Sequence, residues 1–220
     1  MRIIAVEFSS GVRSVAACAI DPRNGEVTRC GVAVEETTRS GRAIHLVEEA
    51  LKAAGLEREE IDHLAVGLGP GSYTGIRAAL AFAHGWRLGR PVALAGMSSV
   101  ELLAAQGVAE NLRGHWNIII DAQRREFYLA GYELGEGGTA LVEPLRIVTE
   151  AEIRERAGRG GQFLGPEADR FVLGGRRIAP AARTLAIEAA RRGLFGEGEN
   201  LEPIYLRETE FVKAPPPRVF

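Results

Sequence analysis

Two short runs of the chain hold residues of the kind that handle phosphate. The first is Gly69-Pro70-Gly71-Ser72-Tyr73-Thr74-Gly75. Its glycines allow backbone angles closed to other residues, and Pro70 stiffens the turn. Ser72 or Thr74 can cap a helix beginning there, and free amides at a helix start attract anions. The Lys-Ser/Thr pair of a nucleotide P-loop is missing, because Ile76-Arg77 follows the last glycine. A structural turn and an anion site therefore both remain open for this loop. The second run is Glu7-Phe8-Ser9-Ser10-Gly11, at the end of one strand pattern, and Asp121-Ala122 ends a later strand in the same manner. Ligands of α/β sheets gather at such strand ends, so Glu7, Ser9, Ser72 and Asp121 make a candidate nucleotide or anion site. Two acids at solvated strand ends are the alternative reading of Glu7 and Asp121.

Other chemistries find less support. His45, His63, His84 and His115 are scattered, with no helical His pair and no Cys-Cys ligand spacing, so no metal ligands are assigned. No serine nucleophile elbow with a matched His and acid can be picked out, and no catalytic residue is assigned. Cys18 and Cys30 fall on neighbouring expected strands and are read as buried, reduced thiols, since two cysteines do not make a disulfide scaffold. The formal charge of −2 offers no long-range attraction to a nucleic-acid backbone, although arginine is dense from Arg154 to Arg192.

The elements that must position these residues follow from period and punctuation. Residues 2–8, 14–20 and 26–35 read as three antiparallel strands joined by turns at Ser9-Ser10-Gly11 and Asp21-Pro22-Arg23-Asn24-Gly25. A helix over 42–54 carries Ala43, Leu46, Val47, Ala50 and Leu51 on one apolar face, with Ile44 widening it. Residues 63–68 read as a buried strand, 74–88 as a helix, 92–95 as a strand, 98–106 as a helix, and 116–121 and 126–134 as strands. The helix over 74–88 is apolar nearly all round, so something is expected to cover its second side. Beyond Gly135 the pattern is less regular. Short strands near 141–148 and 162–164, a helix over 181–192 and an extended Pro215-Pro216-Pro217 tail are expected.

Three antiparallel strands followed by β-α-β units indicate a mixed sheet with helices on its faces. At 220 residues, 46% apolar and 25% charged, the chain has the composition of an ordinary globular protein. The longest apolar segment, 78–88, is interrupted by His84 and Arg87 and falls short of the roughly 20 residues of a membrane span. With no leader pattern at the N-terminus, a cytoplasmic location without membrane contact is expected.

Taken in order, the Gly69–Gly75 loop with Arg77, then Ser98-Ser99, Asp121-Ala122 ahead of Glu126-Phe127-Tyr128, and Pro203-Ile204-Tyr205-Leu206-Arg207 resemble the TsaB family, also called YeaZ, across essentially the whole chain. The resemblance implies a duplicated actin-like/RNase H-like fold, with an N-terminal subdomain over 1–108 and a smaller, less regular C-terminal one over 109–220. It implies a non-catalytic subunit that pairs with and activates TsaD in making threonylcarbamoyladenosine on ANN-decoding tRNAs. A TsaE-like ATPase would join the larger assembly, ATP and magnesium would belong to the partner complex, and tRNA would be met indirectly. It further places a pairing surface on the first two helices, at Ile44, Val47, Leu51, Ile76, Ala79, Leu80 and Ala83, which a homodimer would use when TsaD is missing. The family usually has Asp at the position of Glu7, Thr at that of Phe8 and a basic residue at that of Gln123, which counts against nucleotide binding by the chain alone. The rival reading is an independent ATP-dependent enzyme or peptidase of the same actin-like superfamily, using Glu7 and Asp121.

Overall fold

A computed structural model describes residues 1–36, 43–196 and 201–207. The chain opens with a three-stranded meander, β1 (Arg2–Glu7), β2 (Val12–Ile20) and β3 (Val27–Glu36). Helix α1 (Ala43–Ala54) then leads to β4 (His63–Gly67), and α2 (Tyr73–Gly89) leads to β5 (Ala93–Met97). These strands form one sheet in the order β3-β2-β1-β4-β5. The β1–β2 and β2–β3 pairs are antiparallel, and β1–β4 and β4–β5 are parallel. Tight turns suffice for the antiparallel pairs, whereas each parallel pair needs a crossover helix.

After α3 (Ser99–Ala109) the same arrangement is built again. Strands β6 (Gly114–Asp121), β7 (Glu126–Gly135) and β8 (Gly138–Thr149) form a second meander, followed by α4 (Glu150–Gly158), β9 (Gln162–Gly165), α5 (Ala168–Phe171) and β10 (Arg176–Arg177). The second sheet runs β8-β7-β6-β9-β10, with the same sequence of antiparallel and parallel pairs. Helix α6 (Ala182–Arg191) closes the unit as α3 closes the first. The second unit thus matches the first strand for strand, and it is less regular only where β9, α5 and β10 shrink to four, four and two residues.

Packing ties the two units together. Strand β1 is buried on both faces, which is why it reads as a continuous apolar run. Ile4, Val6 and Phe8 face α1 and α2, while Ile3 and Ala5 face Ala182, Leu185, Ala186 and Ala189 of α6. In return Val100, Leu103 and Ala104 of α3 pack on Trp116, Ile118, Ile120 and Leu134 of the second sheet. Each unit therefore lends its last helix to the other's sheet. The outer face of the second sheet is closed by Ile153, Ala168 and Val172 against Phe127, Leu129 and Phe163.

Two expectations from the sequence, on the cysteines and on β8, need correction, and helix α4 was not anticipated. Cys18 and Cys30 are joined in a disulfide and are not free thiols; they are direct cross-strand partners on β2 and β3, with Cα atoms 4.1 Å apart. Helix α4 had no apolar signature because it buries one side chain, Ile153, and is otherwise held by a Thr149 cap on the Glu152 amide and by Arg–Glu pairs. Strand β8 is longer than the expected 141–148 because it pairs with β7 along a hairpin closed at Gly135 and Gly138. The Pro215-Pro216-Pro217 tail lies outside the described residues.

Candidate functional site

The Gly-rich loop leaves β4 and is fastened to the first turn of the chain. Ser72 N–H donates to Ser9 O at 2.6 Å, and Gly69 O accepts from Ser99 N–H at 2.7 Å. Gly71, at φ 146°, lies so close to this turn that a Cβ there would come within 2.1 Å of Ser9 O. A Cβ on Gly75 would lie 1.9 Å from Phe8 O. These glycines are thus needed for the approach of one backbone segment to another. Ser72 then caps α2, its Oγ accepting from Gly75 N–H at 3.3 Å.

Between the ends of β1 and β6 lies a cavity of about 450 Å³. Ser9, Ser72 and Asp121 line it, as the sequence pattern anticipated, but Glu7 does not. Glu7 is fully buried beneath the wall, against Gly67, where its Oε1 accepts from Ser9 N–H at 2.7 Å and its Oε2 has no partner. Burial pushes its carboxyl pKa up, with hydrogen bonds from Ser9 and Ser99 pulling the other way. Ser99 Oγ donates to Ser9 Oγ at 2.8 Å, completing a small buried network under the first turn. Glu7 and Asp121 are therefore not a facing pair of carboxylates, and the Glu7 place in the candidate site is corrected accordingly.

Two cleft residues carried no motif to announce them. Glu167, just after β9, faces the cavity, and burial pushes its carboxyl pKa up as well, with the nearby Asp121 amide pulling the other way. Arg13 on β2 lines the opposite side, buried, with its guanidinium 5.7 Å from the centre of the Phe8 ring. Asp121 itself is held by Gln123, whose amide donates to Oδ1 at 2.7 Å. Gln123, Arg124 and Arg125 all take left-handed backbone angles, φ 65°, 59° and 61°, to turn β6 into β7.

The Pro203–Arg207 motif lashes the edge of this cleft. Ile204 N–H donates to Leu68 O at 2.8 Å, and Tyr205 lies against Tyr73 with ring centres 5.4 Å apart. Arg207 donates to Ala122 O at 3.0 Å and to Glu126 at 2.6 Å. The segment thereby touches the loop of the first sheet and the turn of the second.

The expected pairing surface divides sharply. Val47, Leu51, Ile76, Ala79, Leu80 and Ala83 are buried in the core that α1 and α2 form with the first sheet, so their side chains are unavailable to a partner. Ile44 alone of that set is open, at 62% exposure. The reason is that α2 is apolar on both sides, and the inner side takes Ile76, Ala79 and Ala83. Its outer side carries Ala81, Gly85 and Gly89 at helical spacing beside half-buried Phe82 and Trp86. With Ile44 and Arg58 they line a groove of about 600 Å³, where Arg58 stacks 5.0 Å over the Trp86 ring.

Six of the nine arginines from Arg154 to Arg192 are taken up in ion pairs. Arg154 and Arg156 of α4 and Arg159 just after it pair with Glu150, Glu143 and Glu155, and Arg176, Arg191 and Arg192 pair with Glu110, Glu188 and Glu101. Among the described residues no cluster of three or more His, Cys, Asp or Glu could hold a metal ion. No helix among them is long and apolar enough to cross a membrane.

Two meander-and-crossover units of identical strand order, with exchanged covering helices and a cleft at their strand ends, define a duplicated actin-like, RNase H-like α/β protein. The family model described as TsaD, tRNA N6-adenosine threonylcarbamoyltransferase, matches residues 29–172. The tRNA threonylcarbamoyladenosine biosynthesis protein TsaB of Escherichia coli strain K12 is 30% identical over 226 residues, which is 94% of this chain and 95% of that protein. TsaB of Bacillus subtilis strain 168 is 29% identical over 75% of this chain and 71% of its own length. The solved structure of YeaZ from Pseudomonas aeruginosa shares the fold, with a TM-score of 0.74 at 24% identity over 93% of this chain and 99% of that one. The chain belongs to the TsaB (YeaZ) family.

Proposed function

We propose that this protein is a subunit, without an active site of its own, in the biosynthesis of threonylcarbamoyladenosine on ANN-decoding tRNAs, and that it pairs with and activates a TsaD-like transferase. Family membership supports the pathway, since relatives bear that name. The observation that carries the pairing is the apolar outer groove of α1 and α2. Ala81, Gly85 and Gly89 would let a partner helix approach closely, while Ile44, Phe82 and Trp86 would supply bulk. The same groove would hold a second copy of the chain when the transferase is absent. ATP and magnesium would act in the assembled complex, with a TsaE-like ATPase, and tRNA would be met by the partner.

Reconstitution tests this reading. With the cognate transferase and ATPase, tRNA modification is expected to require this chain and to fall when the groove is altered. Modification at full rate in its absence would overturn the proposal. The rival reading, an independent ATP-dependent enzyme or peptidase, draws no support from Glu7, which lies under the cleft wall and does not line the cleft.

A further inference from the structure

We infer that the bond between Cys18 and Cys30 is a reversible thiol–disulfide latch on the edge strand β3, opened and closed by exchange at Cys30. The inference goes beyond the subunit reading and stands or falls separately from it. The chain's two cysteines are direct cross-strand partners on β2 and β3, and their bond closes a hairpin with a sequence separation of 12. Their surroundings are unequal. Cys18 is fully buried, packed with Ala182, Leu185, Ala186 and Ala189 of α6, whereas Cys30 is only half-buried. Exchange needs a sulfur that an external thiolate can reach, and of this pair Cys30 offers it.

Strand order decides the line of approach. A thiolate attacks a disulfide sulfur from the side opposite the sulfur that leaves. Strand β3 ends its sheet and has β2 on one side only, so the far side of the Cys30 sulfur looks past the open edge. The far side of the Cys18 sulfur looks toward β1, where its cross-strand partner is the fully buried Ile3. An external thiolate therefore bonds to Cys30 Sγ and expels Cys18 as a thiolate, which takes up a proton. With a dithiol as co-reactant, its second thiol then attacks the reductant's own sulfur in the mixed disulfide and releases Cys30. The protein gains two electrons and two protons, and the dithiol leaves as a cyclic disulfide. An external disulfide drives the reverse, with Cys30 attacking it first and Cys18 then closing the bond.

What the latch holds is the seat of α1. Gly31, next to Cys30, faces the other side of β3, and a Cβ there would come within 2.3 Å of Ala50 O on the helix. Ala33 packs in the same core, and Arg29 donates to Gly55 O, just beyond α1, at 2.6 Å. With the bond open, β3 keeps its hydrogen bonds to one neighbouring strand and this seat. With the bond closed, it is also tied covalently to β2, an inner strand buried along nearly its whole length. Opening therefore loosens β3 and α1 together and leaves the second sheet as it was.

Mass spectrometry after thiol blocking, on the folded full chain, reads the exchange. Air-oxidised protein is expected to carry no free thiol, dithiothreitol without denaturant to expose both, and oxidised glutathione to remove them again. Cys18→Ala is expected to take up one glutathione on Cys30, about tenfold or more faster than Cys30→Ala takes one up on Cys18. On reduction, amide exchange is expected to quicken about tenfold or more across residues 27–36 and 43–54, with residues 114–135 unchanged. The melting temperature is expected to fall by roughly 5–10 °C. Should either variant fail to fold, the dithiothreitol and amide-exchange measurements on the native chain carry the decision. Two free thiols in the oxidised protein, a bond that opens only in urea, equal glutathione uptake by the two folded variants, or amide exchange over 27–36 that ignores reduction would each overturn the inference.

Discussion

Gly85→Arg is the most direct test of the outer groove. Gly85 lies inside α2, and a Cβ built there meets nothing within 4 Å, so the monomer has room for any side chain. Replacing a helical glycine with arginine favours the helix by about 0.8 kcal/mol. The isolated chain should consequently melt at the same temperature or slightly higher. The groove wall already carries Arg58 and Arg90 against one acid, Glu59, so an added cation is the harder charge to compensate. Leaving it unpaired in a closed apolar contact costs roughly 3 kcal/mol or more, which is on the order of a hundredfold in affinity. Titration calorimetry against the TsaD-like partner reads the affinity, and scanning calorimetry reads the monomer. Undiminished affinity together with a normal melting temperature would remove the groove from the interface and refute the reasoning.

Other expectations follow from the burial pattern. Ala79→Glu, on the inner side of the same helix, places a carboxylate in the core, where Ala79 is 0% exposed, and should lower the melting temperature sharply by costing roughly 3 kcal/mol or more. Folding with native stability would show that this side is open after all. Glu7 holds its proton to higher pH when folded than its ordinary 4.5, so the native state binds more protons above that value and stability falls as pH rises through the window. Glu7→Gln should flatten that decline in urea melts taken between pH 5 and pH 8, and an unchanged slope would contradict it. Arg207→Ala removes bonds to Ala122 and Glu126 at a partly exposed site, so global stability should fall by only about 0.5–1 kcal/mol. Amide exchange should nevertheless quicken at the β6–β7 turn, and unchanged exchange would show that the segment does not brace the cleft.

How far the fold could be read from the chain depended on where its apolar residues recur. The first meander and helices α1, α2, α3 and α6 were legible because each buries a face whose period survives in the sequence. Helix α4 was not, because Arg146, Arg156, Glu143 and Glu152 bind one another above a single buried isoleucine. The duplication, which the family resemblance implied, left no internal repeat in the sequence for a related reason. Strand order is a property of pairing, and β-sheet pairing constrains only apolar alternation, so two units of one topology share no readable repeat.

At the candidate site, residue type and spacing were enough to single out the Gly69–Gly75 loop, Ser9, Ser72 and Asp121, since glycine and capping chemistry are local. Local order was also enough to mark α2 as apolar on two sides. Which side belongs to the core was decided by packing, because the first sheet can cover only one of them, and it took Ala79 and Ala83 and left Ala81 and Gly85. Tertiary structure likewise placed Glu7 under the wall and brought Arg13 and Glu167 to the cavity from β2 and the β9–α5 junction. Such neighbours are set by long-range register and by the solvent each side chain loses, neither of which is written in the spacing of residues along a chain.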